Sequence, residues 1–332
     1  MASFKALRTD KGDDGYVTSL VQRSTDDLPA GDVLVRVSYS SLNFKDALSA
    51  TGNKGVTRSF PHTPGIDAAG VVEQASAGPW QHGDPVIVTG YDLGMNTDGG
   101  YSEFIRVPAE WLVRRPEALS ARDAMILGTA GLTAALCVET LLDTGVEPEQ
   151  GEILVTGATG GVGSIAVALL AQLGFNVVAG TGKADAHGWL RTLGAADFVD
   201  RETLSAGVDK PMLKPRWAGV VDCVGGDILF NAIKSLKYGG SAVCCGLAGS
   251  PTLNGSVFPF ILRGVNLLGV DSVELPLEIK EQVWQLLASD WKLEKLEQVL
   301  AQEVPLAQLP PWFSRILGGE VRGRVLVNVA GG

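Results

Sequence analysis

The residues best placed to do chemistry in this 332-residue chain form a strand–turn–helix run. Glu152-Ile153-Leu154-Val155-Thr156 reads as a buried strand. Gly157-Ala158-Thr159-Gly160-Gly161-Val162-Gly163 is a glycine-rich turn, and Ser164–Leu170 continues as an apolar helix. Glycines at a strand end let backbone N–H groups approach a pyrophosphate, and the N-terminus of the next helix adds a favourable dipole. The spacing departs from G-x-G-x-x-G, and a glycine cluster alone is weak evidence; a tight turn with no ligand is the plainer reading. The context favours a dinucleotide held by Thr159, Gly160, Gly161 and Val162. A strand precedes the turn, a helix follows, Gly174 is placed to end that helix, and a second strand, Phe175–Ala179, comes at once.

The end of the second strand selects between dinucleotides. An Asp or Glu about 20 residues past the glycines ordinarily takes the ribose 2′-OH of NAD. Here the chain reads Gly180-Thr181-Gly182-Lys183, with a hydroxyl and an ammonium where the acid would stand. Thr181 and Lys183 suit a 2′-phosphate, so NADPH is the expected cofactor, although such residues are also common in ordinary polar loops. Further along, Cys245-Gly246-Leu247 and Val270-Asp271-Ser272 end predicted parallel strands. There the backbone of Cys245, Gly246, Leu247, Val270 and Ser272 can bind a nicotinamide carboxamide.

These residues need two kinds of scaffold. Val33–Val37, Ala69–Glu73 and Pro85–Val88 are short strand patterns between turns, which predict a β-rich, barrel-like unit. From about Asp123 helices and strands alternate, which predicts an α/β, doubly wound parallel (Rossmann) sheet. Its predicted parts are a helix over Ala124–Leu142, strands at Phe198–Asp200, Gly219–Cys223, Ser241–Cys245 and Val265–Val270, and helices at Ala184–Leu193 and Asp227–Leu236. Leu277–Ala288 is an amphipathic helix. Arg324–Val329 returns to a strand pattern and is expected to rejoin the first domain. The expected division is 1–122 with 296–332 for the β-rich domain and 123–295 for the NADPH-binding domain, with the substrate in the cleft between them.

Composition narrows the partners. The chain is 45% hydrophobic and 19% charged, enough apolar content for packed cores, and carries a formal net charge of −10. That mean field repels polyanions, so neither nucleic acid nor an anionic membrane is an expected partner. No run of about 20 apolar residues is evident, and no transmembrane segment or signal peptide is expected. Cys137, Cys223, Cys244 and Cys245 form no C-x-x-C pair and read as packing thiols in a reducing, cytoplasmic compartment. His62, His82 and His187 lack ligand spacing and read as surface or turn residues.

Four separated runs carry a resemblance: Ser41-Leu42-Asn43-Phe44-Lys45-Asp46, Pro64–Gly70, Gly128-Thr129-Ala130-Gly131-Leu132-Thr133-Ala134, and the glycine turn. Together they resemble the medium-chain dehydrogenase/reductase superfamily over nearly the whole chain, closest to its zinc-independent quinone-oxidoreductase branch. Gly246–Gly249, Pro259–Arg263 and Gly269–Val273 further resemble the acrylyl-CoA reductase (NADPH) group. The resemblance implies a GroES-like catalytic domain, discontinuous in sequence. It also implies NADPH-dependent reduction of the C=C bond of acrylyl-CoA to propionyl-CoA, and a homodimer. It implies that Asn43 faces the nicotinamide and is the catalytic hydrogen-bond donor, that Thr129 and Thr133 lie near the nicotinamide, and that Arg324 lies near the pyrophosphate. On the residues alone, Asn43 and Thr129 read equally as caps and Arg324 as an exposed turn residue.

Zinc-dependent relatives carry a Cys ligand where this chain has Asn43 and a His where it has Ile66, and no Cys stands in Met125–Leu127; no metal is therefore expected. Lys45 and Asp46 are expected to pair and order their loop. Phe44 stands where the resembled group commonly has Tyr, which leaves water, Tyr91 and Tyr101 as candidate proton sources. Lys54, Arg58, Arg263 and Arg322 are candidates for the CoA phosphates. The substrate is expected to be an acyl-CoA thioester or an enone. A quinone or alkenal reductase without CoA, and a non-catalytic NADPH-binding protein, are the competing readings.

Overall fold

Unbroken apolar runs need cover on both faces. In the computed structural model, which describes residues 2–331, Ile153, Leu154 and Val155 are fully buried, as are Val177, Val178 and Ala179 in the next strand. Such strands suit a parallel sheet flanked by helices. The chain folds as two units. One comprises Thr133–Asp271 with Leu293–Val299, and the other comprises everything up to Leu132, Ser272–Lys292, and the chain from Leu300 onward.

The first of these holds a six-stranded sheet in the order Asp197–Val199, Asn176–Gly180, Glu152–Thr156, Trp217–Asp222, Leu236–Cys244, Asn266–Gly269. Every neighbouring pair is parallel. Numbered along the chain the order is 3-2-1-4-5-6, the doubly wound arrangement, with its direction switch between Glu152–Thr156 and Trp217–Asp222. Ligands bind at the carboxyl ends of such strands beside the switch. The turn after the first strand is tight: a Cβ on Gly163 would lie 2.3 Å from the Gly157 carbonyl oxygen. Only glycine lets the helix Gly161–Gln172 approach its strand so closely.

The second unit is β-rich. Its seven-stranded sheet runs Leu300–Pro305, Arg324–Asn328, Val33–Ser41, Asp67–Ala75, Pro85–Thr89, Leu112–Arg114, with Phe104–Val107 also paired to Val33–Ser41. The returning strand Arg324–Asn328 pairs antiparallel with Val33–Ser41, setting Leu326 opposite Ser41. A two-stranded hairpin, Ser3–Gly12 with Gly15–Ser24, lies outside the expected strands; its second strand buries no residue fully and leaves Val17 and Leu20 exposed, so it shows no alternation of buried and exposed positions.

Two expectations need correction. Ser272–Lys292 packs with the β-rich unit and not with the nucleotide-binding one, so the boundaries 123–295 and 296–332 do not hold as drawn. The cause is the helix Leu277–Ala288: it buries Val283, Trp284 and Leu287, and its fully buried Lys280 ammonium donates to the carbonyls of Thr89 (2.8 Å) and Val273 (3.1 Å). A buried ammonium needs such oxygens wherever it sits, and these lie in the β-rich unit. The helix Ala121–Asp143 is long and apolar enough to cross a bilayer by length and composition, contrary to expectation, but most of it is buried inside the fold.

That helix is not continuous. At Gly128 the backbone takes φ 54°, ψ −156°, and the helix restarts at Thr129. A Cβ there would also lie 2.5 Å from both Asp67 Oδ2 and Ser41 Oγ. Gly128→Ala therefore combines a conformation open essentially to glycine alone with an overpacked polar cluster. We expect it to lower unfolding free energy by at least about 2 kcal/mol, read from the urea midpoint at unchanged m-value.

Candidate active site

Two aspartates that never reach solvent organise the β-rich unit. Asp67 opens the strand Asp67–Ala75, and Asp46 is the third residue of the helix Phe44–Ala50; both are fully buried. A buried carboxylate must collect donors, and both do. Asp46 accepts from the backbone N–H groups of Asn43 and Ile66, each at 2.8 Å, and from the Tyr101 hydroxyl at 2.8 Å. Asp67 accepts from Asn43 Nδ2 (2.8 Å), Thr129 Oγ1 (2.5 Å), the Thr129 backbone N–H (3.0 Å to Oδ2) and, by a short bond, the Ser41 hydroxyl. The restarted helix at Thr129 thus has a carboxylate from another strand as its cap, where the helix dipole favours negative charge.

Arg324, at the start of the returning strand, supplies the counter-charge. Its Nη1 donates to Asn43 Oδ1 (3.2 Å) and to the Leu42 carbonyl (3.1 Å), and its Nε to the Ile126 carbonyl (2.9 Å). Nη2 lies 3.9 Å from Asp67 and, among the described residues, is buried without a hydrogen-bond partner. One cation faces two carboxylates. Burial, and then the charge of Asp67, raise the Asp46 carboxyl from 3.8 to about 7, against the pull of its hydrogen bonds. Burial first, and the charge of Asp46 next, push Tyr101 well above its ordinary value. The Tyr101 hydroxyl is also 3.1 Å from the Ser41 carbonyl. When Asp46 gains a proton it can donate to Tyr101, which then donates to Ser41, so both protonation states are served without rearrangement.

The nucleotide-binding unit carries its own buried acid. Asp222 ends the strand Trp217–Asp222, accepts from Thr156 Oγ1 (2.6 Å) across the switch, and accepts from the N–H groups of Gly225 (2.7 Å) and Val224 (3.2 Å). It holds the Cys223–Gly226 loop at the carboxyl edge of the sheet. Beside it, a small cavity of about 50 Å³ is lined by Thr156, Gly157, Thr159, Thr181, Lys183 and Arg201, among others, and no lining residue is acidic. Thr181 Oγ1 accepts from the Lys183 backbone N–H (3.1 Å) and shapes the turn.

Several expected site residues come together. Asn43, Thr129 and Arg324 converge on Asp67. Thr159, Thr181 and Lys183 share the cavity at the glycine turn, where Gly160 caps the helix that opens with Gly161 and Val162. Cys245 and Gly246 lie against Cys223: its Sγ is 3.9 Å from that of Cys245, and a Cβ on Gly246 would meet the Cys223 carbonyl at 2.5 Å. Leu247 is exposed, Val270 half-buried and Thr133 buried, and buried Ser272 lies in the β-rich unit beside Gly90.

Other readings change. Asn43 stands at the helix cap, but its side chain turns to Asp67 and Arg324. Arg324 is buried, not an exposed turn residue. Asp46 turns inward and makes no ion pair with Lys45, because its partners are the two N–H groups and Tyr101. Tyr101 is committed to Asp46 and the Tyr91 hydroxyl to the Leu275 carbonyl (3.2 Å), so neither offers a spare proton. The Arg263 guanidinium is held by the carbonyls of Leu213, Lys234 and Leu236, which removes it from any phosphate site, whereas Lys54 and Arg58 are exposed. His62 is buried, its Nε2 2.9 Å from the Gly94 carbonyl. Arg201, Asp222 and the organising role of Asp67 were missed. The Asp200 cap that starts the helix Arg201–Ser205 was the available signal for Arg201. Among the described residues no group of three or more His, Cys, Asp or Glu is placed to hold a metal ion.

The chain resembles known proteins along its length. The family described as zinc-binding dehydrogenase matches residues 161–289, and the alcohol dehydrogenase GroES-like domain matches residues 29–117. The acrylyl-CoA reductase AcuI of Ruegeria pomeroyi is 45% identical over 328 residues, covering 98% of this chain and 99% of the relative. The putative quinone oxidoreductase YhfP of Bacillus subtilis is 43% identical over 326 residues, with the same coverage. A crystal structure of Bacillus subtilis yhfP with NAD bound superposes with a TM-score of 0.96 at 43% identity, covering 99% of this chain and 100% of that one. The structure of Escherichia coli K-12 YHDH with bound NADPH gives 0.94 at 44% identity, covering 98% and 99%.

The raised Asp46 carboxyl sets a pH dependence. The unfolded chain ionises this group near 3.9 and the folded one near 7, so the native state holds the extra proton between them. Stability from this group is fully present below about pH 4 and is lost as pH rises through about 7. Relative to Asp46→Asn, the unaltered protein should lose stability across that window at no more than about 1.4 kcal/mol per pH unit. Denaturant unfolding of both proteins at pH 4.5, 6 and 7.5 checks it.

Proposed function

Because the chain belongs to the medium-chain dehydrogenase/reductase superfamily, we propose that it is an oxidoreductase that uses NADPH to reduce the C=C bond of acrylyl-CoA, giving propionyl-CoA. The observation that carries the reaction type is the fixed carboxamide of Asn43, a hydrogen-bond donor at the position where zinc-dependent relatives hold a thiolate ligand. Whole-length identity to a named acrylyl-CoA reductase supports the substrate.

NADPH fits the residues present. The cavity at the end of Asn176–Gly180 presents a hydroxyl, an ammonium and a guanidinium from Thr181, Lys183 and Arg201 and no carboxylate, the donor set a 2′-phosphate requires. Held there, NADPH would supply a hydride for the β-carbon of the unsaturated thioester. That carbon is already electrophilic, and the charge moves to the thioester oxygen. Asn43 donates a hydrogen bond to that oxygen, and the α-proton comes from water, since Phe44 has no hydroxyl and both candidate tyrosines are engaged. No Lewis acid is needed, and Asn43 and Ile66 offer none of the usual ligands; the enzyme is zinc-independent.

A quinone or alkenal reductase is the second reading, favoured by the name of the YhfP relative. The strand Asn266–Gly269 edges the parallel sheet, and beside it Phe258, Ile261 and Leu262 are exposed apolar residues. A second copy of the chain covers that edge in a homodimer. The compartment is the cytoplasm, consistent with four free thiols.

With NADPH, acrylyl-CoA should turn over with a kcat/KM well above that of a free enone or a quinone, followed by loss of reduced-cofactor absorbance. Preference for the free enone or quinone would transfer the function to the second reading. Activity should survive dialysis against a chelator. Lys183→Glu should weaken NADPH binding by about 1.5–3 kcal/mol and leave NADH nearly unchanged. Equal losses for both cofactors in a fluorescence titration would remove the 2′-phosphate assignment.

A further inference from the structure

We propose that Asp67 is the positioning residue of this site: together with Arg324 it fixes which way the Asn43 carboxamide faces, and so aims the one remaining N–H at the reacting thioester. The proposal rests on the reading of Asn43 as the donor to the substrate oxygen. An amide side chain is nearly symmetric in shape, so packing alone does not choose between its two flipped states. Charge does. Asn43 Nδ2 points at the Asp67 carboxylate (2.8 Å), and Oδ1 points at the Arg324 guanidinium (3.2 Å). Flipping would set oxygen against carboxylate and N–H against guanidinium, turning two charge-assisted hydrogen bonds into two repulsions. The amide is therefore held between opposite charges in one orientation.

Asp67 does not itself reach substrate. It has no exposure, and both its oxygens are occupied by donors from Ser41, Asn43 and Thr129, whereas Asn43 keeps 8% of its surface exposed. Nδ2 carries two hydrogens, and Asp67 engages one. The other lies in the same plane at a fixed angle, so its direction is set once the first is held. Ser41 and Thr129 hold the carboxylate in turn, and Gly128 leaves room for it: any Cβ at that position would strike Asp67 Oδ2 and Ser41 Oγ and come within 2.9 Å of Arg324 Nη2.

The test is a double-mutant cycle with Asp67→Asn and Asn43→Ala, reading kcat for acrylyl-CoA, the NADPH dissociation constant and the isotope effect with deuteride-bearing NADPH. The amide at position 67 can present N–H to Asn43 and so permits the flipped state. Asp67→Asn should lower kcat by about tenfold to a hundredfold, raise the isotope effect on kcat as hydride transfer becomes limiting, and change NADPH affinity less than about threefold. In the Asn43→Ala background the same change should alter kcat less than about twofold, because nothing remains to be aimed. Additive losses in the cycle, or an Asp67→Asn protein with normal kcat, would overturn the positioning role while leaving Asn43 as the donor. An unchanged kcat in Asn43→Ala alone would instead remove the reading of Asn43, and this proposal with it. If Asp67→Asn does not fold, Asp67→Ser, which keeps one oxygen without the charge, takes its place in the same cycle with the same two outcomes.

Discussion

A carboxylate cannot be buried without a full set of donors, and Asp67 finds its set by drawing together parts of the chain that have little else in common. Ser41 ends one strand, Asn43 caps a short helix, and Thr129 begins the second half of a long one. Without Asp67 the buried Ser41 hydroxyl and the Asn43 amide N–H would lose a partner in the interior, at about 1–3 kcal/mol apiece. The break in the long helix at Gly128 follows from the same requirement. An uninterrupted helix would bond the Thr129 N–H to its own preceding turn, and the carboxylate would lose two of its contacts. The break is tolerated because the freed N–H is capped by an anion, the partner that a helix start prefers.

The second carboxylate makes the arrangement electrostatically uneven. Asp46 and Asp67 share a single guanidinium, and the imbalance is relieved by a proton and not by a second cation. Burial and the charge of Asp67 accordingly raise the Asp46 carboxyl to about 7, while Asp67 gathers donors from Ser41, Asn43 and Thr129 and lies 3.9 Å from the guanidinium. Tyr101 completes the arrangement, since its hydroxyl can bond to Asp46 in either state. Ionising Asp46 therefore leaves no hydroxyl or carboxyl of this layer without a partner, and what a rise in pH costs here is electrostatic.

Much of this molecule is legible from its residues, and the limits have physical causes. The parallel strands are evident because they are apolar on both faces, and the doubly wound order follows from alternating helices and strands. Leu277–Ala288 was read with its observed bounds because its amphipathic period is clean. Its allegiance to the β-rich unit was not legible: that is decided by the Lys280 ammonium reaching carbonyls of Thr89 and Val273, a contact distant in sequence. Asn43 could be singled out from a motif, but its orientation could not, because Asp67 and Arg324 meet it from positions 24 residues downstream and at the far end of the chain. Asp46 was misread for a related reason. Adjacent Lys45 and Asp46 suggest a surface pair, whereas a helix start turns neighbouring side chains to different faces, and Asp46 faces the interior.

The same contrast between local and assembled signals bears on the cofactor. Thr181 and Lys183 are readable because they follow a strand end directly, and they show what is absent there, an acid for a ribose hydroxyl. Absence of an acid permits a phosphate without requiring one, and a relative 43% identical to this chain was crystallised with NAD. What turns permission into preference is positive charge from a second direction. Arg201 provides it from the following strand–helix connection, one residue after the Asp200 cap, lining the same cavity as Lys183. Two cations converging on an acid-free cavity attract a dianion far more than they attract a neutral hydroxyl, because the Coulomb term grows with the ligand's charge while the contacts to the adenosine stay the same. Cofactor choice therefore resides in the pairing of two connections in the sheet, only one of which the glycine-turn pattern reveals.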